Sequence, residues 1–169
     1  MGVSELFGFP NPVNEVSARL VAAGVVILCG LILGLDQPWV MIPLAYGFLA
    51  RVLTGPKLSP LGLLVTHVLS PRLPIEPRLV AGPPKRFAQG MGATMSTAAL
   101  VLHFGFGAAG AADVLVAMIL LAATLEATFA LCLGCRIFGL LMRVGVIPEE
   151  VCADCRDLSS RRAPSAGRR

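Results

Sequence analysis

The chain has 169 residues, 56% of them hydrophobic and 14% charged, against roughly 25% charged in ordinary soluble domains, and its mean hydropathy is +0.79. These values exclude a water-soluble globular fold and leave room for one domain of about four membrane-crossing helices of ~20 residues each. The net charge of +4 is no sign of nucleic-acid binding, because membrane proteins distribute Lys and Arg according to the side of the membrane. No nucleic-acid partner is expected; the partner named by composition is the lipid bilayer.

The first nine residues carry Glu5 and no basic residue, which does not fit the basic start of a secretory signal, so the first apolar run is expected to be retained. Leu6 stands where a myristoylation signal needs Ser or Thr. Asn11-Pro12 predicts a helix start, with Asn as cap and Pro at the first helical position. A first span follows from about Ser17 to Leu35, with Arg19 at its start and Gly30 and Gly34 as a small-xxx-small pair for close helix approach. Cys29, alone in this span, reads as a small buried hydrophobe. Asp36-Gln37-Pro38 ends it, and the second span runs from Pro38 to about Thr54, with Trp39 at an aromatic-belt position and Arg51 near its end.

Residues 55–86 differ in character, holding five prolines from 71 to 84 together with Lys57, Arg72, Arg78, Lys85 and Arg86. Their apolar run, Leu61 to Leu69, is too short to cross a hydrocarbon core of ~30 Å, so a helix lying in the interface is expected there. A re-entrant path is also open. The third span covers Phe87 to about Gly107 and includes Gln89 and His103; the fourth covers about Ala111 to Leu133, with Asp113 at a solvated start, and is expected to continue as helix through Arg143. Pro148-Glu149-Glu150 reads as the start of a short C-terminal helix. The segment 159–169, rich in Ser, Pro, Gly and Arg, reads as a disordered basic tail behind a single domain spanning 1–158.

The predicted fold class is therefore all-α, a polytopic membrane protein of four transmembrane helices with an interfacial helix between spans two and three and a short cytoplasmic C-terminal helix. The connections after spans one and three contain no Lys or Arg, whereas the connection after span two and the C-terminal segment hold nearly all of them. That asymmetry places both termini on the cytoplasmic side of the membrane.

Four of the five cysteines form two Cys-x-x-Cys pairs, Cys132/Cys135 and Cys152/Cys155, with sixteen residues between them. Reducing cytosol disfavours persistent disulfides there, which leaves metal binding or cycling thiol chemistry as uses for paired thiols. Four sulfurs could close a tetrahedral zinc site clasping the tail helix onto span four; zinc is the one cofactor the spacing suggests. Against redox activity, Cys132 and Cys135 follow a long helix instead of starting one, and Glu149, Glu150, Asp154 and Asp157 flank the second pair. Arg136, Arg143 and Arg156 act in the opposite sense. Glu126, within span four, is either a proton-transfer group or the partner of Arg19 or Arg51 in an ion pair that fixes packing. His103 reads as an interhelical hydrogen-bonding residue or a proton relay.

The elements Asn-Pro-Val-Asn, Gly-Pro-Lys-Leu-Ser-Pro-Leu-Gly, Gly-Pro-Pro-Lys-Arg-Phe-Ala-Gln-Gly and Cys-Leu-Gly-Cys resemble an uncharacterised family of small bacterial, mainly actinobacterial, membrane proteins, domain of unknown function 4395. The resemblance covers residues 11 to 157 and implies sulfur or thiol handling with a thioredoxin-like or rhodanese-type sulfurtransferase partner. The functional expectation joins both arguments: Cys132 and Cys135 exchange electrons or sulfur with a soluble thiol partner, Cys152 and Cys155 resolve or receive them, and Glu126 moves a proton. The alternatives are a non-enzymatic protein whose four cysteines hold zinc, and a small transporter of a sulfur-containing anion using Gln89, His103 and Glu126.

Overall fold

The structure is a computed structural model that describes residues 11–72, 78–148 and Val151. The second cysteine pair, most of the expected C-terminal helix and the basic tail lie outside the described residues. A pair of two-residue strands opens the fold. Val13–Asn14 (β1) runs antiparallel to Leu79–Val80 (β2), with Val13 opposite Val80. This extended start moves the first helix boundary from the expected Asn11 to Asn14, whose side chain accepts from the Val16 N–H at 3.0 Å. Asn11 serves a distant helix instead, its Oδ1 accepting from the Gly82 N–H at 2.9 Å.

The long helices are α1 (Glu15–Gly34), α2 (Met41–Thr54), α4 (Gly82–Phe106) and α5 (Ala109–Phe129), with the shorter α3 (Pro60–Leu64) before β2 and α6 (Leu133–Arg143) closing the fold. Their packing is up-and-down. The N-terminal end of α1 meets the C-terminal end of α5 where Arg19 reaches the carbonyl of Ala127, and α2 ends beside the start of α4 where Arg51 reaches Gln89. At the opposite end, Trp39 stacks on Phe104 with ring centroids 5.1 Å apart. The core between the helices is built from Val25, Cys29, Ile32, Leu44, Phe48 and Val116, with alanines of α4 and α5. Cys29 is fully buried, as a small apolar residue would be.

Among the described residues, three helical stretches are long and apolar enough to cross a membrane: Glu15–Gly34, the run Pro38–Leu69, and Ala109–Phe129. The expected third span, now α4, is not among them. It opens with Lys85, Arg86 and Gln89 and is rich in Gly, Ser and Thr, a composition suited to facing other helices.

Two further expectations are corrected. Gly30 and Gly34 make no close approach, since a Cβ at either would meet nothing within 4 Å. Close contacts fall at Gly24, Gly92 and Gly134, where a Cβ would meet Leu61, Phe48 and Ala88 respectively. The segment after α2, where an interfacial helix or a re-entrant path was expected, packs along α1. At Gly55, with φ of 65°, a conformation open to glycine, the chain reverses. Ser59 then caps α3 by accepting from the Gly62 N–H at 3.3 Å. From there α3 and the wider π turns over Val65–Leu69 run back along α1, from Gly24 beside Leu61 to Ser17, whose hydroxyl lies 3.2 Å from that of Ser70.

The second correction concerns the last long helix, which does not continue to Arg143. It stops at Phe129; Ala130 adopts a left-handed conformation with φ of 55°, and Cys132 is extended, with φ of −80° and ψ of 106°. A new helix starts at Leu133.

A dithiol at a helix start and its buried ion pair

The break after α5 decides the chemistry available to Cys-Leu-Gly-Cys. Because the chain is extended at Cys132 and helical from Leu133, Cys132 is the N-cap of α6 and Cys135 lies in its first turn. The Cys132 sulfur accepts from the Cys135 N–H at 3.4 Å, as an N-cap side chain does. The sequence argument that this pair trails a long helix is thereby overturned: the thiols face the positive end of a helix dipole. The Cys135 thiol donates to the Cys132 sulfur at 2.7 Å. That hydrogen bond holds the Cys132 thiol below its usual pKa, helped by the Lys85 ammonium and opposed by burial and Glu126. Cys135, as the donor and itself partly buried, is pushed up. Both cysteines are free thiols.

α6 is held in place by a short seam. Gly134 and Phe138, four residues apart and so on one face, are its buried residues. Gly134 sits against the backbone of Ala88, and the Phe138 ring lies 5.6 Å from that of Phe87.

Glu126, on the last turn of α5, forms an ion pair and hydrogen bond with Lys85 of α4. Sequence reasoning nominated Arg19 or Arg51 as its partner, and neither takes that place. Arg19 caps the end of α5, its Nε donating to the Ala127 carbonyl at 3.1 Å and its Nη2 to the Ala127 and Thr128 carbonyls at 2.9 and 3.0 Å, a cation at the negative end of a helix dipole. Arg51, only 6% exposed, donates from Nε to Gln89 Oε1 at 2.9 Å and from Nη1 to Ser59 Oγ at 3.3 Å. Its guanidinium also lies over the Phe48 ring, 4.6 Å from the centroid.

These groups share a cavity. One of about 250 Å³ is lined by Arg51, Gln89, Glu126 and Cys132 among apolar side chains, and a neighbouring one of about 230 Å³ by Arg51, Lys85 and Gln89. Lys85 was missed by sequence reasoning, which counted it as a topological charge. Its spacing of four from Gln89 on one helix face was the available signal.

The remaining candidates do not join the site. His103 lies toward the other end of the bundle, edge-on to Phe104 with centroids 4.9 Å apart, and its Nδ1 has no hydrogen-bond partner among the described residues, so the expected interhelical bond from that atom is not made. Asp113 is exposed in the first turns of α5. No three His, Cys, Asp or Glu residues converge for a metal among the described residues, and Cys152 and Cys155, needed for the zinc clasp, lie outside them.

No curated protein and no solved structure matches the chain. A family model described as Domain of unknown function (DUF4395) matches residues 13–143, a stretch that includes Arg51, Lys85, Gln89, Glu126, Cys132 and Cys135 and ends before the second cysteine pair, and the chain belongs to that family.

Proposed function

We propose that this protein is an integral membrane thiol–disulfide exchange protein whose working pair is Cys132 and Cys135. The observation that carries the reading is the placement of Cys132 as the N-cap of α6 with the Cys135 sulfur 2.7 Å away. A helix start favours thiolate, and a small rotation brings sulfurs at that distance to the ~2.05 Å of a disulfide.

In the exchange, the Cys132 thiolate attacks one sulfur of a partner disulfide. A Cys132–partner bond forms, the partner S–S bond breaks, and its other sulfur leaves as thiolate. Cys135 then loses its proton and attacks Cys132, closing the Cys132–Cys135 disulfide and releasing the partner as dithiol after proton uptake. Each step is reversible. Glu126, paired with Lys85 beside the thiols, is the group placed to pass the proton. The partner is a soluble protein of thioredoxin-like or sulfurtransferase type, and Cys152 and Cys155 relay between it and the buried pair.

The membrane arrangement belongs to the same proposal. α4 is taken as a third crossing: at 25 residues it spans ~37 Å, and its ends lie at the two opposite ends of the bundle. With α1, α2 and α5 this gives four spans. The chain after Gly55 is re-entrant rather than interfacial, dipping to the level of Gly24 before returning to Ser17. Lys57, Arg72, Arg78, Lys85 and Arg86 gather at the end that holds the dithiol, while residues 35–40 and 107–108 at the other end carry no Lys or Arg. That end is therefore cytoplasmic, as are both termini, in a bacterial cytoplasmic membrane.

The test is thiol trapping with intact-mass analysis over a series of redox buffers. The expected result is a two-electron step in which Cys132 and Cys135 become protected together, and a Cys135→Ala variant that accumulates the mixed disulfide on Cys132. A pair that stays reduced at every poise overturns the reading. About one zinc per chain bound with all four distal thiols blocked replaces it with the metal clasp.

A further inference from the structure

We propose that the cavity beside the dithiol binds a quinone, the membrane-soluble acceptor for the electrons that the exchange reaction delivers. The inference rests on the thiol-exchange reading and adds the second substrate to it.

The cavity of about 250 Å³ has two unlike parts. Its polar lining is Cys132, Glu126, Arg51 and Gln89; the rest is apolar, including Val25 and Ile119. Met118 and Ile137 also line it and are 53% and 39% exposed, so the cavity borders the apolar outer surface that faces lipid in the proposed topology. A ligand dissolved in the bilayer can enter there without crossing water.

Arg51 sets what the ligand must offer. A guanidinium has five N–H donors. Two of them go to Gln89 and Ser59, and among the described residues no carboxylate lies within ion-pair distance of Arg51. A cation this buried is costly unless acceptors meet its remaining donors. The occupant is therefore flat and largely apolar, with a strong oxygen acceptor to turn toward Arg51. A cavity of ~150 Å³ is enough for benzene, so this one takes a single substituted ring. Quinones meet these requirements, and they accept two electrons.

The step balances without another reagent. The Cys132 and Cys135 thiols lose two electrons and two protons, and the Cys132–Cys135 bond forms. The quinone gains both electrons and both protons, and its two carbonyls become hydroxyls. Partner dithiol then reduces the new disulfide, so the cycle converts partner dithiol and quinone into partner disulfide and quinol.

The experiment uses the full chain, purified in detergent and reduced under anaerobic conditions. A short-chain ubiquinone, menadione and a small soluble disulfide are tested separately as oxidants, with thiol loss and quinol formation measured together, and lipids co-purified with the untreated protein are extracted and assayed for quinone. The expected result is one quinol formed per disulfide closed, and quinone in the extract. Arg51→Gln weakens quinone binding about tenfold or more, as expected for loss of a hydrogen bond from a charged donor. Ala122→Phe, which adds bulk to the cavity wall, lowers the rate with quinone far more than the rate with the soluble disulfide. If wild-type protein is oxidised by the soluble disulfide but by neither quinone, the quinone inference is overturned and thiol exchange stands. If no oxidant closes the pair, thiol exchange itself fails and the quinone site with it.

Discussion

Replacing Gly134 by Ala tests how the dithiol is held. A Cβ there would lie 2.5 Å from Ala88 Cβ and 2.6 Å from Ala88 Cα, whereas carbon atoms rest at ~3.5–4.0 Å. The overlap is thus about 1 Å, and it is against backbone, which cannot rotate aside as a side-chain end can. Either α6 lifts off α4 or α4 bends. Overpacking of this kind costs ~1–3 kcal/mol, and each kcal/mol lowers Tm by about 2–4 °C in a chain of this size. Gly139, on the same helix, is the control, because a Cβ there meets nothing within 4 Å and Gly→Ala in an open helical position gains up to ~1 kcal/mol. Thermal unfolding in detergent, followed by helical circular dichroism, is expected to place Gly134→Ala several degrees below the wild type and Gly139→Ala at or above it. Cys132 should also alkylate at a changed rate in Gly134→Ala, since the cap moves with the helix it begins. If both variants melt at or above wild type, the seam at Ala88 does not position α6 and the account of the dithiol loses its scaffold.

The Lys85–Glu126 pair is expected to behave as a buried ion pair: Lys85→Met or Glu126→Leu alone costs ~3–5 kcal/mol by leaving one charge unpaired, whereas the double variant recovers most of it, as denaturation of the four proteins in a double-mutant cycle will show. Cys132 should alkylate with a midpoint below the usual thiol value of ~8.5, because a lowered pKa leaves thiolate at lower pH. Cys135→Ala removes the hydrogen bond chiefly responsible and shifts that midpoint upward, as pH-dependent alkylation will record; an unchanged midpoint contradicts the assigned cause. Single cysteines at Leu63, Leu64, His67 and Val68, all exposed on the protein surface, should react with an impermeant thiol reagent increasingly toward Ser70 if the segment is re-entrant. Reactivity with a period of ~3.6 residues would instead mark a helix lying flat in the interface.

The positions of the apolar helices were legible from composition and from the punctuation at Asp36-Gln37-Pro38 and Gly107, because a membrane helix needs a long apolar run and little else. The ends were not. Asn11 looked like a cap, but pairing of Val13–Asn14 with Leu79–Val80 is a long-range contact that no local pattern announces, and it transferred the capping role to Asn14. The break at Ala130 was hidden for a different reason: alanine carries strong helix propensity, so its left-handed conformation reflects tertiary packing, with Gly134 seated on Ala88 and Arg19 drawing in the carbonyls of Ala127 and Thr128. That one misread residue inverted the argument about the cysteines. Glu126 could be picked out as an acid in an apolar helix; its partner depended on how α4 packs on α5.

The charges around the cavities bear on how the proposed cycle would run. Arg51 and Lys85 are cations and Glu126 is, among the described residues, the one carboxylate lining the same pair of cavities, so with neutral thiols these residues carry a formal net charge of +1 in largely apolar surroundings. Such an excess is unfavourable there, and a thiolate at Cys132 is the nearest anion able to offset it. Closing the Cys132–Cys135 disulfide removes that anion and restores the excess positive charge, which then favours approach of an attacking partner thiolate. Reduction regenerates the Cys132 thiolate and lowers the attraction for a second anion, leaving a neutral acceptor such as a quinone as the favoured occupant. On the proposed reading, each redox state of the pair thus selects electrostatically for the reactant of the next step.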